Sequence, residues 1–176
     1  MTKEIQERVR LFRIVREIPY YVSVGEEQDF SCSTKAEILK MLLHCLDLNS
    51  RYRICEFRWE DLNLPKEILK LPHEDPEYHQ YLEVYIPETK RWTIVDPTWD
   101  SGLSKIFEIA EWDGLSNTKI AVLPKKIYSP AKSMELIKKF NEPKEIEEYL
   151  RKNKKFLIAP NNYFKCLRSN FTQLCN

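Results

Sequence analysis

The chain has 176 residues, 43% of them apolar, 12% aromatic and 31% charged, with a formal net charge of +1. That length suits one domain with a real core, and the near-neutral charge argues against wholesale nucleic-acid binding, which draws on a strong basic excess. The charge is uneven: residues 131–176 carry ten Lys/Arg against five Asp/Glu, a net of +5, which leaves −4 for residues 1–130. The basic end, with its "RKNKKF", reads as a solvated helix end; contact with an acidic partner is the other reading.

The opening "MTKEIQERVRLFRIVREIPYY" is charged throughout, unlike a signal peptide, and no later run is apolar enough to span a membrane. Five cysteines, Cys32, Cys45, Cys55, Cys166 and Cys175, form no C-x-x-C pair. With no leader expected, they point to free thiols in a reducing, cytoplasmic setting. With only Gly25, Gly102 and Gly114 present, the chain has no G-x-G-x-x-G and no P-loop, so no nucleotide cofactor is expected.

A first helix is predicted over 3–17, from Ile5, Val9, Phe12 and Val15, with Pro19 beyond its end. A second runs over 32–47. Its polar residues Glu37, Lys40, His44 and Asp47 make one stripe, so the helix should be packed on most sides, as the central helix of the core. "RYRICEF" reads as a strand, and "WEDLNLPKEILKLPHEDPE" as a loop with one helical turn. Strands follow at 79–86 and 91–96 around "PETK". "KIFEIAEWDG" reads as a short helix or strand, and "NTKIAVLP" as a strand. Helices are expected at 132–140, 143–152 and 161–174, the last through Tyr163, Leu167 and Phe171, and the fold class is α+β.

Three chemical residues then need placing. Cys32 stands where the apolar helix begins, and a helix N-terminus favours a thiolate through its unpaired N–H groups and macrodipole. Thr34 with Glu37 fits a capping box that would leave Cys32 outside the helix; capping by Asp29 or Ser31 would put it in the first turn. If Ile86 pairs with Arg91, Tyr81 opposes Asp96, and His79 becomes the diagonal neighbour of Asp96, roughly 7–8 Å away. His79, Tyr81, Glu83 and Asp96 then share one face, with Leu82, Val84, Ile86, Thr93 and Val95 on the other. A slip of one residue would separate His79 from Asp96.

Such a face next to Cys32 would let His79 take the thiol proton, Asp96 orient the imidazole, and the Cys32 N–H bind an oxyanion. The plain alternative is a small buried cysteine, a surface histidine and a D-P-T turn. Cys45 and Cys55 read as core thiols, His44 as solvated, and His73 as a loop residue. No zinc set emerges from Cys55, His73 and His79, and "EDPE" lacks the ordered ligands of a calcium loop.

"CSTKAEILKMLL", "HQYLEVYI" and "WTIVDPTWD", in that order, resemble the core of the transglutaminase-like superfamily, relatives of papain-like cysteine enzymes. The likeness runs from about Val15 to Val122, and "WEDLNLP" and "EWDG" are similar to a leaderless single-domain prokaryotic subgroup. The resemblance implies a papain-like core, a central helix on an antiparallel sheet, with Cys32 as nucleophile, His79 as base and Asp96 as third member. The expected organisation is a transglutaminase-like catalytic core over 1–130 with a basic helical extension over 131–176 packed on the same domain; the C-terminal helices themselves resemble no known family. The chemistry implied is thioester formation from a carboxamide or peptide bond, as in a cysteine protease, amidase or crosslinking acyltransferase, with hydrolysis favoured. A peptide or protein substrate is expected, with no cofactor, no metal, no nucleic acid and no membrane. A non-catalytic module on the same fold is the alternative.

The chain departs from the family pattern in having Phe30-Ser31 where Gly-Asp often precedes the cysteine, and Tyr81 where Trp is frequent. Gln28 is the candidate side-chain oxyanion donor by position, and Tyr81 and Trp99 are candidate walls of the site. The motif R-G-G-x-C of arylamine acetyltransferases and papain's C-G-[SA]-C-[WY] are both missing.

Overall fold

A computed structural model describes residues 2–25 and 27–169. Helix α1 (Lys3–Arg16) is capped by the Thr2 hydroxyl, which accepts the Ile5 N–H at 3.4 Å, and it buries Ile5, Val9, Phe12 and Val15. Helix α2 (Cys32–His44) follows, then strand β1 (Ser50–Phe57), the single turn α3 (Lys66–Leu69) and the hairpin β2 (Glu77–Ile86) and β3 (Arg91–Val95). A two-residue strand β4 (Lys126–Ile127) and helices α4 (Pro130–Phe140) and α5 (Pro143–Arg168) complete the α+β chain. The sheet is antiparallel throughout, in the order β3-β2-β1-β4.

The hairpin has the expected register: Ile86 pairs with Arg91 and Leu82 with Val95. Because strand side chains alternate, this buries two faces separately. Leu82, Val84, Ile86 and Val95 join Phe12, Val15, Ala36, Leu39, Leu43 and Trp112 on the side of α1 and α2. Tyr81, with Cys55 and Phe57 of β1, joins Tyr20, Trp59, Trp99, Phe107, Phe156 and Phe164 on the other. A sheet covered on both sides explains how polar groups such as His79 and Asp96 come to be enclosed.

Several expectations need correction. Helix α2 stops at His44 and is not packed on most sides: its buried face is Lys35, Ala36, Leu39 and Leu43, while Met41 and Cys45 are exposed. Cys45 is therefore not a core thiol, although Cys55 is fully buried. Residues 105–124 form neither helix nor strand, because their backbone polar groups are met by side chains and isolated bonds, such as Thr118 N–H to Ile94 O at 2.8 Å.

The two C-terminal helices expected at 143–152 and 161–174 are one helix through Pro160, at least as far as Arg168; the expected stretch beyond 169, with Phe171 and Cys175, lies outside the described residues. An interior proline costs a helix about 3 kcal/mol. Here Phe156, Leu157 and Phe164, in contact with the core on either side of the proline, outweigh it. The basic segment thus adds aromatic side chains to the core. Among the described residues no helix is long and apolar enough to cross a membrane.

Candidate active site

Cys32 is the first residue of α2, with Ser31 at the N-cap. Among the described residues no side chain caps the first-turn N–H groups of α2; Asp29 braces the turn before them, its Oδ2 accepting the Ser31 N–H (3.1 Å), the Ser31 hydroxyl (2.6 Å) and the Thr34 hydroxyl (2.6 Å). Its Oδ1 accepts the Ser23 N–H at 3.0 Å, fastening the approach loop. Neither capping bond weighed from the sequence is formed, but Ser31 at the N-cap position places the thiol in the first turn, against the positive end of the helix.

Ladder pairing between β2 and β3 ends at Leu82–Val95, so the start of β2 is free of a strand on that side. There Asp96, one residue past β3, meets His79: Nε2 lies 2.7 Å from Oδ2, with both side chains buried. Asp96 is held by three further bonds. Its Oδ2 also accepts the Ala121 N–H (2.7 Å), and its Oδ1 accepts the Thr98 N–H (3.1 Å) and the Thr98 hydroxyl (2.6 Å). With both oxygens occupied, the carboxylate cannot rotate away from the ring.

Burial would push the His79 pKa down, but the Asp96 charge, the bond to Asp96 and the nearby Cys32 thiol together carry it up to about 10. Asp96 moves the other way: burial raises its pKa, and the His79 charge and bond, the Thr98 hydroxyl and the Ala121 N–H bring it below the ordinary carboxylate range. With these shifts the pair favours the imidazolium–carboxylate form, in which both ring nitrogens carry a proton. The Cys32 side chain, by hydrogen bonding and by charge, is among the causes of the rise at His79, so the sulfur lies near the ring.

Beneath α2 lies a feature that sequence inspection missed. Lys35, fully buried, donates from Nζ to the carbonyls of Arg16 (2.7 Å), Ile18 (2.8 Å) and Thr98 (2.8 Å). Burial pushes its pKa down to about 7, against the pull of Asp100 and Asp96. Three carbonyl acceptors match the three donors of an ammonium. The lysine thereby ties the end of α1 to the Thr98 turn that grips Asp96.

The other expected wall residues divide. Tyr81 is buried, with its ring stacked near His79 (centroids 6.2 Å apart, planes at 16°). Trp99 is buried against Phe107 and donates its indole N–H to Ala121 O at 2.7 Å, steadying the residue whose N–H holds Asp96. Gln28 is exposed, and its amide reaches only Asp29 O at 3.4 Å, so the structure does not bring it into the site. A cavity of about 250 Å³ runs between Asp61–Asn63 and Lys119–Leu123, with Asp96 and Trp99 in its wall; neither Cys32 nor His79 lines it.

Glu77, two residues before His79 on the same strand face, accepts the Tyr149 hydroxyl at 2.8 Å, so α5 reaches the rim of the site. Burial lifts the Glu77 pKa to about 7, opposed by the Tyr78 N–H and the Tyr149 hydroxyl. His73 is a packing residue: Nδ1 meets Leu71 O at 2.7 Å and the ring lies 4.2 Å from Phe156. Cys55, opposite His79 in the β1–β2 ladder, is a thiol that burial pushes up to about 12. Among the described residues no group of three His, Cys, Asp or Glu could hold a metal ion. No protein-family model, no curated protein and no solved structure matches the chain.

Proposed function

We propose that the protein is a cysteine-dependent acyl-transfer enzyme with a papain-like, transglutaminase-type core, which opens a carboxamide or peptide bond through a thioester on Cys32. The observation that carries this reading is the enclosed His79–Asp96 pair with Cys32 at the adjoining helix start. The Cys32 thiolate attacks the carbonyl carbon, and the carbonyl π electrons move to oxygen. When the tetrahedral adduct collapses, the C–N bond breaks and the amine leaves with the proton from His79 Nδ1. Water, activated by the now neutral His79, then attacks the thioester and releases the acid.

Hydrolysis is favoured over transfer to an amine because Cys32 is only half-buried, so water can reach the thioester. The natural substrate is a peptide or protein, met in a reducing compartment where the thiols stay free.

The test is incubation with glutamine-containing and ordinary peptides, with and without a primary amine, followed by intact mass after an acid quench. An acyl adduct on Cys32 with acid as the main product supports the reading. Amine incorporation outrunning hydrolysis reassigns the enzyme to crosslinking. No adduct with any peptide, and ordinary thiol reactivity, would mark a non-catalytic module.

A further inference from the structure

Tyr20 lies on the connection between α1 and α2 and is 93% buried, at 7% exposure. Its backbone is anchored at both ends: its N–H donates to Asp100 Oδ2 at 2.9 Å, and its carbonyl accepts from Arg168 at 3.1 Å. Its ring is fixed by Trp99 (centroids 4.7 Å apart) and, edge-on, by Phe164 (6.1 Å). Everything about this side chain is held except its hydroxyl, which has no hydrogen-bond partner among the described residues.

Buried tyrosine hydroxyls ordinarily find a partner, and one left without is a candidate for a ligand atom. Ser50 Oγ is the one fully enclosed side-chain polar atom without a partner among the described residues, so the Tyr20 hydroxyl keeps an opening. Tyr20 belongs to the aromatic cluster against which Cys32 packs. The Cys32 backbone N–H, at the first position of α2, is likewise without an acceptor among the described residues. One donor is the backbone N–H of the cysteine itself, and the other is the hydroxyl of a rigid side chain on whose phenol Cys32 acts electrostatically.

We infer that Tyr20 is a catalytic residue: its hydroxyl, with the Cys32 backbone N–H, binds the oxyanion formed when Cys32 attacks a substrate carbonyl. This rests on the acyl-transfer reading and supplies the side-chain donor for which Gln28 is misplaced. As the thiolate sulfur bonds to the carbonyl carbon, the π pair moves to oxygen, which then accepts the two hydrogen bonds. On collapse the pair returns to the C=O bond and the leaving group departs. Tyr20 keeps its proton throughout, because burial, with Cys32, Asp29, Glu77 and Asp96 nearby, pushes the phenol pKa well up. Ground-state amides gain little from such a donor, and the tetrahedral state gains most.

Tyr20→Phe removes the hydroxyl and keeps the ring packing. Two probes separate the roles: p-nitrophenyl acetate, which acylates Cys32 through an oxyanion, and iodoacetamide, which alkylates it by displacement at a saturated carbon. Cys32→Ala supplies the background from other thiols. The inference predicts that Tyr20→Phe slows acylation about 10²- to 10³-fold, with alkylation unchanged in rate and pH profile. Unchanged acylation would overturn it while leaving the acyl-transfer reading in place. Equal loss of both reactions would overturn it too, by showing that Tyr20 acts through the thiol or the fold. If Cys32 of the unmodified chain acylates no faster than that of His79→Ala, the acyl-transfer reading itself fails.

Discussion

His79 on β2 and Asp96 just past β3 meet at 2.7 Å where the strand ladder has already ended, and Asp96 spends its remaining capacity on Thr98 and Ala121. An orienting carboxylate of this kind acts through the ring it holds. Asp96→Asn is expected to lower turnover of any amide or ester substrate by about 10⁴, as loss of a triad carboxylate can. Steady-state rates on one substrate, with circular dichroism to confirm folding, check this. A loss below tenfold would mean that Asp96 only packs.

The same pair sets a pH dependence of stability. The folded pKa of His79 is raised from 6.5 to about 10, so its contribution is complete below about pH 6.5 and is lost as pH rises towards 10. Asp96, with its pKa lowered, contributes above its ordinary value of 3.8 and loses that contribution as pH falls through the folded value. Lys35, lowered from 10.5 to about 7, works the opposite way to His79 between those values, so the chain alone would mix the two. The stability gap between the native chain and Asp96→Asn isolates the pair. Urea midpoints should show that gap widest near pH 5–6 and shrinking towards pH 10; a gap constant with pH would contradict the assignment.

Lys35→Met strands three carbonyls that the ammonium now satisfies. A buried acceptor left without its donor costs about 1–3 kcal/mol, and release of the Thr98 turn should loosen Asp96 as well. Urea denaturation measures the first effect and residual turnover the second. A stable, fully active variant would remove Lys35 from the account.

Helix α5 is expected to be indispensable. Phe156 and Phe164 are each 1% exposed, and Phe164 meets Tyr20, Trp99 and Phe107. Phe164→Ala should cost about 3–5 kcal/mol, and a chain ended before Pro143 should lose its near-ultraviolet dichroism and bind hydrophobic dyes. A truncated chain with native-like dichroism would show α5 to be an accessory layer.

The sequence made some of this legible for definite reasons. "PETK" between two alternating runs fixed one hairpin register, and alternation then placed His79, Tyr81 and Asp96 on one side of it. The start of α2 could be narrowed to two capping schemes but not chosen, because its N-terminus is set by Asp29 bracing the preceding turn through a loop whose path depends on Ser23. Continuity of α5 through Pro160 was hidden because the packing that outweighs the proline is contributed by residues far away in sequence, such as Trp59 and Trp99. Lys35 stood in plain view in "CSTKA", yet nothing local announces that its three acceptors come from residues 16, 18 and 98. Tyr20 and Glu77 were missed for the same reason: each is defined by what a distant helix or loop brings against it.

The most direct measurement is the rate of Cys32 alkylation by iodoacetamide as a function of pH, followed by peptide mass mapping in the native chain and in His79→Ala. Cys45 is exposed and serves as an internal reference thiol. The account predicts that Cys32 in the native chain reacts faster than Cys45 at pH 6, and that this advantage disappears in His79→Ala. Equal rates for the two thiols across the pH range, unaffected by His79→Ala, would contradict a working nucleophile at Cys32.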